Sequence, residues 1–278
     1  MERLKHISNQ LSINKTTHSD KKVQIEYIFN NRIGIITFNS PKDLNALSKE
    51  LESQFLKALK QLDQDESVKV IILLSNVPKA FCAGIDITRF SNVTNENLIK
   101  SKLFENYDNK YFKITKPIIS GVNGFALGGG FEIALGSDII FCSQEAKFGF
   151  PEIKLGLIPG IGGTQRFTKI VGKIIANYYI LSGEFLDAQT AKNLNIVAGI
   201  FSNDKLREEV IKYAEKIAMY SSYSIIVGKN VTNQAEELSI SEGIKYERRM
   251  FYSLFNLPGA KEGIDAFNKK RKANFDGI

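Results

Sequence analysis

The sequence predicts an α/β protein, with a mostly parallel sheet in its first half and a run of helices in its second. Three observations carry this reading. VKVIILL at 68–74 is a continuous apolar strand, the mark of a sheet covered on both faces. Strand-like and helix-like segments alternate between 32 and 142, which implies crossover connections between parallel strands. Beyond 150 the apolar spacing is helical almost throughout.

The elements follow in order. VQIEYI (23–28) and RIGIITF (32–38) are rich in β-branched residues and are joined through Asn30-Asn31, a hairpin signal. Leu51, Phe55, Leu59 and Leu62 recur at spacings of 4, 4 and 3, so 48–63 is an amphipathic helix with Ser48 as its N-cap. VKVIILL is the next strand, and a helix is expected near 95–112. PIISGV (117–122) is a strand, NGFALGGGFEIAL a glycine turn into a helix, and DIIFC (138–142) a strand. Helices are then expected at 162–171, 173–182, 188–194, 204–219, 223–236, 239–255 and 260–272. We divide the chain into an extension (1–22), an α/β core (23–200) and a helical C-terminal region (201–278).

The chain has 278 residues, 43% hydrophobic and 24% charged, which is ordinary for a globular protein and enough for a core without staples. Its two histidines, His6 and His18, both lie within the first twenty residues. A Ser-His-Asp triad, a Cys-His pair and a His-ligated zinc site are therefore excluded from the body of the chain. Acid/base chemistry there must use Glu, Asp, Lys, Tyr or Cys. Cys82 and Cys142 are far apart in different apolar segments and read as two buried, reduced thiols. No apolar run approaches a membrane span, VIILL (70–74) being the longest strong one. The net charge is +7, most of it at the two ends. That favours a local site for a phosphorylated small molecule over a nucleic-acid face.

Two glycine turns stand at the carboxyl ends of strands, AFCAGID (80–86) and ALGGGFE (126–132), where ligands of open α/β sheets bind. The second opens a helix, so its free N–H groups favour a developing negative charge. Two carboxylates lie in apolar surroundings, Glu132 beside Phe131 and Ile133, and Glu152 beside Phe150 and Pro151. Burying a carboxylate is costly, and desolvation or a second carboxylate raises its pKa toward what a general acid needs. GIGGTQ (160–165) lacks the third glycine of a dinucleotide fingerprint and follows no strand, so it is not read as one.

AFCAGID, PIISGVNGFALGGGFEIALGSDII and AKFGFPEIKLGLIPGIGGTQR, with PKDLNALS at 41–48 and EGIDAFNKKRKANF at 262–275, together resemble the crotonase (enoyl-CoA hydratase/isomerase) superfamily, closest to its short-chain enoyl-CoA hydratases. The resemblance covers about 23–275. It implies a spiral of ββα turns with a helical C-terminal region that packs trimers, which pair into hexamers. It implies hydration of a trans-2-enoyl-CoA to 3-hydroxyacyl-CoA in fatty-acid β-oxidation, with no cofactor, because coenzyme A is part of the substrate.

Carried over residue by residue, the resemblance makes Glu132 and Glu152 the catalytic pair. The N–H groups of Ile85 and Gly129 become an oxyanion hole for the thioester carbonyl. Lys42, Leu44, Ala83, Asp86 and Ile87 fall at positions that line the coenzyme A tail and acyl pocket. Phe267 and Lys270 fall at positions that reach the adenine and phosphate end, and three residues apart they share one helix face. Two departures stand out: Gly136 where the family more often has Ala, and Phe150 where a polar or smaller residue is common.

The extension carries Arg3-Leu4, Gln10-Leu11 and an apolar spacing through Ile7. This resembles a type 2 peroxisomal targeting signal read by an import receptor, with a mitochondrial matrix presequence as the alternative. An isomerase acting on 3-enoyl-CoA and, more remotely, an RNA-binding relative are the competing functions; no base-stacking basic stripe supports the latter.

Overall fold

The structure is a computed structural model and describes residues 21–278. The targeting pattern Arg3–Leu11 and both histidines lie outside those residues.

The main sheet has six strands: β1 (Val23–Ile28), β2 (Ile33–Phe38), β3 (Val70–Ser75), β5 (Ile118–Val122), β7 (Ile139–Ser143) and β10 (Gly199–Phe201), in the spatial order β1-β2-β3-β5-β7-β10. β1 and β2 form the antiparallel hairpin, and its turn places Phe29, Asn30 and Asn31 at positive φ. Every other pairing in this sheet is parallel. Register aligns Ile35, Ile72, Ile119 and Ile139 across four adjacent strands. Their burial explains the unbroken apolar runs, because both faces of the sheet are covered.

One face packs on helix α1 (Lys49–Gln64) through Leu51, Phe55, Leu59 and Leu62, all fully buried. Ser48 caps it, its hydroxyl accepting from Leu51 N at 3.2 Å. The other face packs on α7 (Leu206–Ala218) through Leu206, Val210, Ala214 and Ala218. Burying about ten such side chains stabilises the fold by roughly 1.5–3 kcal/mol each before entropy is counted.

A second sheet joins four three-residue strands, β4 (Ala80–Cys82), β6 (Phe125–Leu127), β8 (Lys147–Gly149) and β9 (Phe185–Asp187), in that order. These strands lie below the length at which alternation is readable in a sequence. With the first sheet they form the mixed α/β architecture with a helical C-terminal region that the sequence predicts. The remaining helices are α2 (Asn95–Ser101), α3 (Gly129–Leu135), α4 (Gly163–Val171), α5 (Lys173–Ser182), α6 (Ala188–Asn193), α8 (Ser222–Gln234), α9 (Ile240–Leu254) and α10 (Pro258–Asn268). None of the described helices is long and apolar enough to cross a membrane.

Two expectations are corrected. The helix near 95–112 is two pieces: α2 ends where Lys102 turns left-handed, Phe104 also has positive φ, and a separate π turn spans Tyr107–Tyr111. Phe267 and Lys270 do not share a helix face, since α10 ends at Asn268 and Lys270 stands beyond it at φ 53°.

α8 and α9 bury none of their residues against the rest of the chain. Ion pairing and hydrogen bonds anchor the start of this region and its C-terminal segment. Lys229 on α8 pairs with Asp138 at 2.8 Å, and the buried Lys69 at the start of β3 donates to the Tyr220 and Phe275 carbonyls, both at 2.9 Å.

Candidate active site

The site lies where the carboxyl ends of the short strands meet α3. β6 delivers the chain into Gly128, whose φ of 49° and ψ of −124° suit glycine alone. Gly129 then opens α3, so its N–H has no acceptor within the helix. The loop after β4 brings Ile85 against it: a Cβ on Gly129 would stand 2.9 Å from Ile85 Cγ1. Neither the Ile85 nor the Gly129 N–H donates to another group among the described residues. Two unspent backbone donors, Gly129 at the helix N-terminus and Ile85 on the loop packed against it, are thus available to a developing oxyanion.

Glu132 follows on the first turn of α3 and is 1% exposed. Its Oε1 accepts from Ile161 N at 2.6 Å and Gly163 N at 2.7 Å, while its Oε2 is buried without a partner. Burial raises its pKa, and the two N–H groups hold it back. Glu152 lies in a 3-10 turn, Pro151–Leu155, after β8. Its Oε1 faces Gly128, and its Oε2 is buried and unpartnered. Burial, reinforced by the charge of Glu132, pushes its carboxyl up to about 7. Each carboxylate thus presents one uncommitted oxygen in a site that favours the protonated form. Such orphaned groups call for a ligand or water.

The 40–47 loop closes the other side. Ala83 N donates to Leu44 O at 3.0 Å and Leu47 N to Gly84 O at 2.8 Å. Leu44, Ala83, Asp86 and Ile87 are thereby gathered beside Ile85, with Lys42 exposed on the same loop. The carboxylate of Asp86 is spent locally, accepting from the N–H and hydroxyl of Thr88. Phe267 and Lys270 are not brought to this cluster, because α10 packs on α8, and Phe267 is 83% exposed. The two thiols are buried and free, each raised to about 12 by burial, and take no part.

This chain also matches the family model described as enoyl-CoA hydratase/isomerase over residues 28–277. The chain belongs to that family. Among enoyl-CoA hydratase/isomerase relatives it is 43% identical to the "Enoyl-CoA hydratase, mitochondrial" of Pongo abelii, covering 88% of this chain and 84% of that one. It is 44% identical to the "Probable enoyl-CoA hydratase, mitochondrial" of Dictyostelium discoideum, covering 86% of each. A crystal structure of an enoyl-CoA hydratase subunit from Geobacillus kaustophilus superposes with a TM-score of 0.89 at 36% identity, covering 92% of this chain and 98% of that one. The crotonase fold expected from the sequence is therefore the fold of this protein.

Several residues that shape this family member's site escape sequence reasoning. The Glu132 donors Ile161 and Gly163 lie 29 and 31 residues further along the chain. Asn45, fully buried with φ 58°, accepts from Ser40 N at 2.7 Å and donates to Ser75 Oγ at 2.8 Å and Phe81 O at 3.0 Å. It ties the Leu44 loop to the end of β4. The signal was present in PKDLNALS, since asparagine tolerates left-handed backbone and can answer its own loop. Arg89 pairs with Glu52 at 2.8 Å, donates to Leu47 O at 2.9 Å, and so steadies the strand-like contact that orients Ile85.

Proposed function

We propose that this chain is an enoyl-CoA hydratase in which Glu132 and Glu152 add water across a trans-2-enoyl thioester. The observation that carries this is the pair of buried carboxylates, each with an unpartnered Oε2, beside two unspent N–H donors. The Ile161 and Gly163 N–H groups oppose the burial that raises the Glu132 carboxyl and favour its ionised form, so we assign Glu132 as the base. Its Oε2 takes a proton from water as the water oxygen bonds to the β-carbon. The π electrons move toward the thioester oxygen, giving an enolate that the Ile85 and Gly129 N–H groups stabilise, each worth about 10²–10³ in rate. Glu152, held protonated near neutrality, gives its proton to the α-carbon. The product is 3-hydroxyacyl-CoA, and the cycle needs no cofactor beyond the coenzyme A that the substrate carries.

Leu44, Ala83 and Ile87 offer apolar surface for the acyl chain and pantetheine, and Lys42 offers charge. Phe267 and Lys270 reach a nucleotide only if it belongs to a neighbouring subunit. A homotrimer or homohexamer is supported by the exposed apolar side chains of α8 and α9, such as Tyr223, Ile240 and Phe251. The Arg3–Leu11 pattern supports a peroxisomal address, and the mitochondrial names of two relatives support the matrix. Imaging residues 1–22 fused to a fluorescent protein separates the two addresses.

Loss of the conjugated-thioester absorbance of crotonyl-CoA tests the reaction. No loss with purified protein overturns it. Faster turnover of a 3-enoyl-CoA, independent of Glu132, would instead make the chain an isomerase.

A further inference from the structure

We propose that Arg166 is a positioning residue for Glu132. It holds, through the Ile161 carbonyl, the turn whose N–H groups grip the Glu132 carboxylate. The inference rests on Glu132 being the base of the hydration.

The guanidinium of Arg166, on the second turn of α4, lies 3.4 Å from the centroid of the Phe112 ring and donates through Nη1 to Ile161 O at 3.1 Å. Ile161 N, on the same residue, donates to Glu132 Oε1 at 2.6 Å. To reach Ile161 the arginine folds back over Gly162, at φ 97°, where any Cβ would collide with the guanidinium. The turn is thus shaped around this one side chain.

The platform beneath the arginine is itself fastened to the helix that carries Glu132. Tyr111, next to Phe112, donates its hydroxyl to Ile133 O at 2.6 Å. Gly136, at the end of α3, makes room for both rings: a Cβ there would stand 2.7 Å from Tyr111 Cε1 and closer still to Phe112. A closed circuit results, from α3 through Tyr111 and Phe112 to Arg166, then through Ile161 back to Glu132 on α3. The departure at Gly136, which caps α3 at its C-terminus, has its reason in this packing. Only a planar guanidinium can lie flat on a ring and donate along its edge at the same time.

Charge adds to geometry. Glu132 is faced by Glu152, Tyr107 and Arg166, and Arg166 is faced by Tyr111, Asp108 and Glu236 as well as Glu132. Arg166 is the cation that favours the ionised form of Glu132.

The test compares Arg166→Met, Arg166→Lys and Phe112→Leu in the whole protein, with crotonyl-CoA. Arg166→Met should lower kcat about 10–10²-fold with KM changed less than about threefold, the split expected when a reacting group is misplaced rather than binding lost. Its acidic limb in log kcat/KM should move to higher pH, because removing the cation makes Glu132 harder to ionise. Arg166→Lys should restore the limb but not kcat. Phe112→Leu keeps the arginine and should reproduce a smaller kcat loss, which covers the case in which Arg166→Met fails to fold. An unchanged kcat with a superimposable pH profile overturns the inference. So does a raised KM with kcat intact, which would make Arg166 a substrate contact. A crystal structure of Arg166→Met decides the matter without turnover: Glu132 Oε1 should lose at least one of its two N–H donors, and retention of both overturns the proposal. A wild type that hydrates nothing sinks the hydratase reading alone and leaves that structural measurement to decide.

Discussion

Glu152 Oε1 stands 2.5 Å from the point that a Cβ on Gly128 would occupy, so the glycine and the carboxylate share one space. Gly128→Ala would be penalised twice. The backbone at φ 49° and ψ −124° is foreign to L-residues, at about 1–3 kcal/mol. The new methyl would also drive Glu152 out of line with the site. The variant should lose hydration of crotonyl-CoA by at least about 10²-fold and melt at a lower temperature. Calorimetry and the absorbance assay read the two effects separately, and near-normal turnover would mean that Glu152 does not need its place.

Glu132→Gln and Glu152→Gln should each lower kcat by about 10²–10⁴. Glutamine keeps an acceptor for the Ile161 and Gly163 N–H groups, so Glu132→Gln should fold normally, as judged by circular dichroism. Full activity in either variant would remove that residue from the mechanism.

The parts of the fold legible in the sequence were those with long, regular burial. β2 and β3 are nearly unbroken buried runs of six residues, and α1 carries a helical period over sixteen. The second sheet was not legible, because strands such as Ala80–Cys82 and Lys147–Gly149 are too short to show a period. Glu132 and Glu152 stood out by residue type, a carboxylate among aromatics at a glycine turn. What holds them did not stand out. Ile161 and Gly163 act through backbone N–H groups, which any residue but proline supplies. Arg166 reads as a routine charge on a helix until the Phe112 ring is found beneath it.

The pH behaviour follows from Glu152. Its carboxyl is held at about 7 by burial and by Glu132, so it carries its proton below that pH and loses it above. As the proton donor it should give kcat/KM an alkaline limb near pH 7, and the limb should move down in Glu132→Gln once the neighbouring charge is gone. Stability has the same origin. Between the ordinary 4.5 and 7 the folded chain holds a proton that the unfolded chain has released, so this group makes the fold less stable as pH rises through that window. Glu152→Gln should therefore gain on the wild type in melting temperature between about pH 5 and about pH 8. A constant difference across that range would show that Glu152 titrates normally.

Asn45→Ala should cost about 2–3 kcal/mol, because it leaves a buried N–H and a buried carbonyl without their partners. It should also raise KM more than it lowers kcat, since the side chain fastens the loop of Lys42 and Leu44 and touches neither glutamate. Denaturant unfolding and steady-state kinetics check both. An unchanged KM would separate this loop from substrate binding.

Phe251 on α9 and Phe255 at its C-cap pack edge to face, with centroids 5.1 Å apart, yet they are 54% and 49% exposed. Ile240 and Ile244 continue the apolar face, at 83% and 48%. A contiguous apolar surface of this kind, on a helix with no buried residue, is what the proposed homotrimer or homohexamer would cover, obligate homo-oligomers having the largest and most apolar interfaces. The wild type should therefore elute at three or six times the chain mass of 31.2 kDa in size exclusion with light scattering. Replacing Phe251 and Phe255 together by glutamate sets like charges on a surface that would meet its symmetry mates, and should shift the mass to that of one chain. If Phe267 and Lys270 serve a neighbour's nucleotide, the monomer should also bind crotonyl-CoA more weakly while its glutamates stay in place. A monomer with an unchanged KM would confine the site to one subunit.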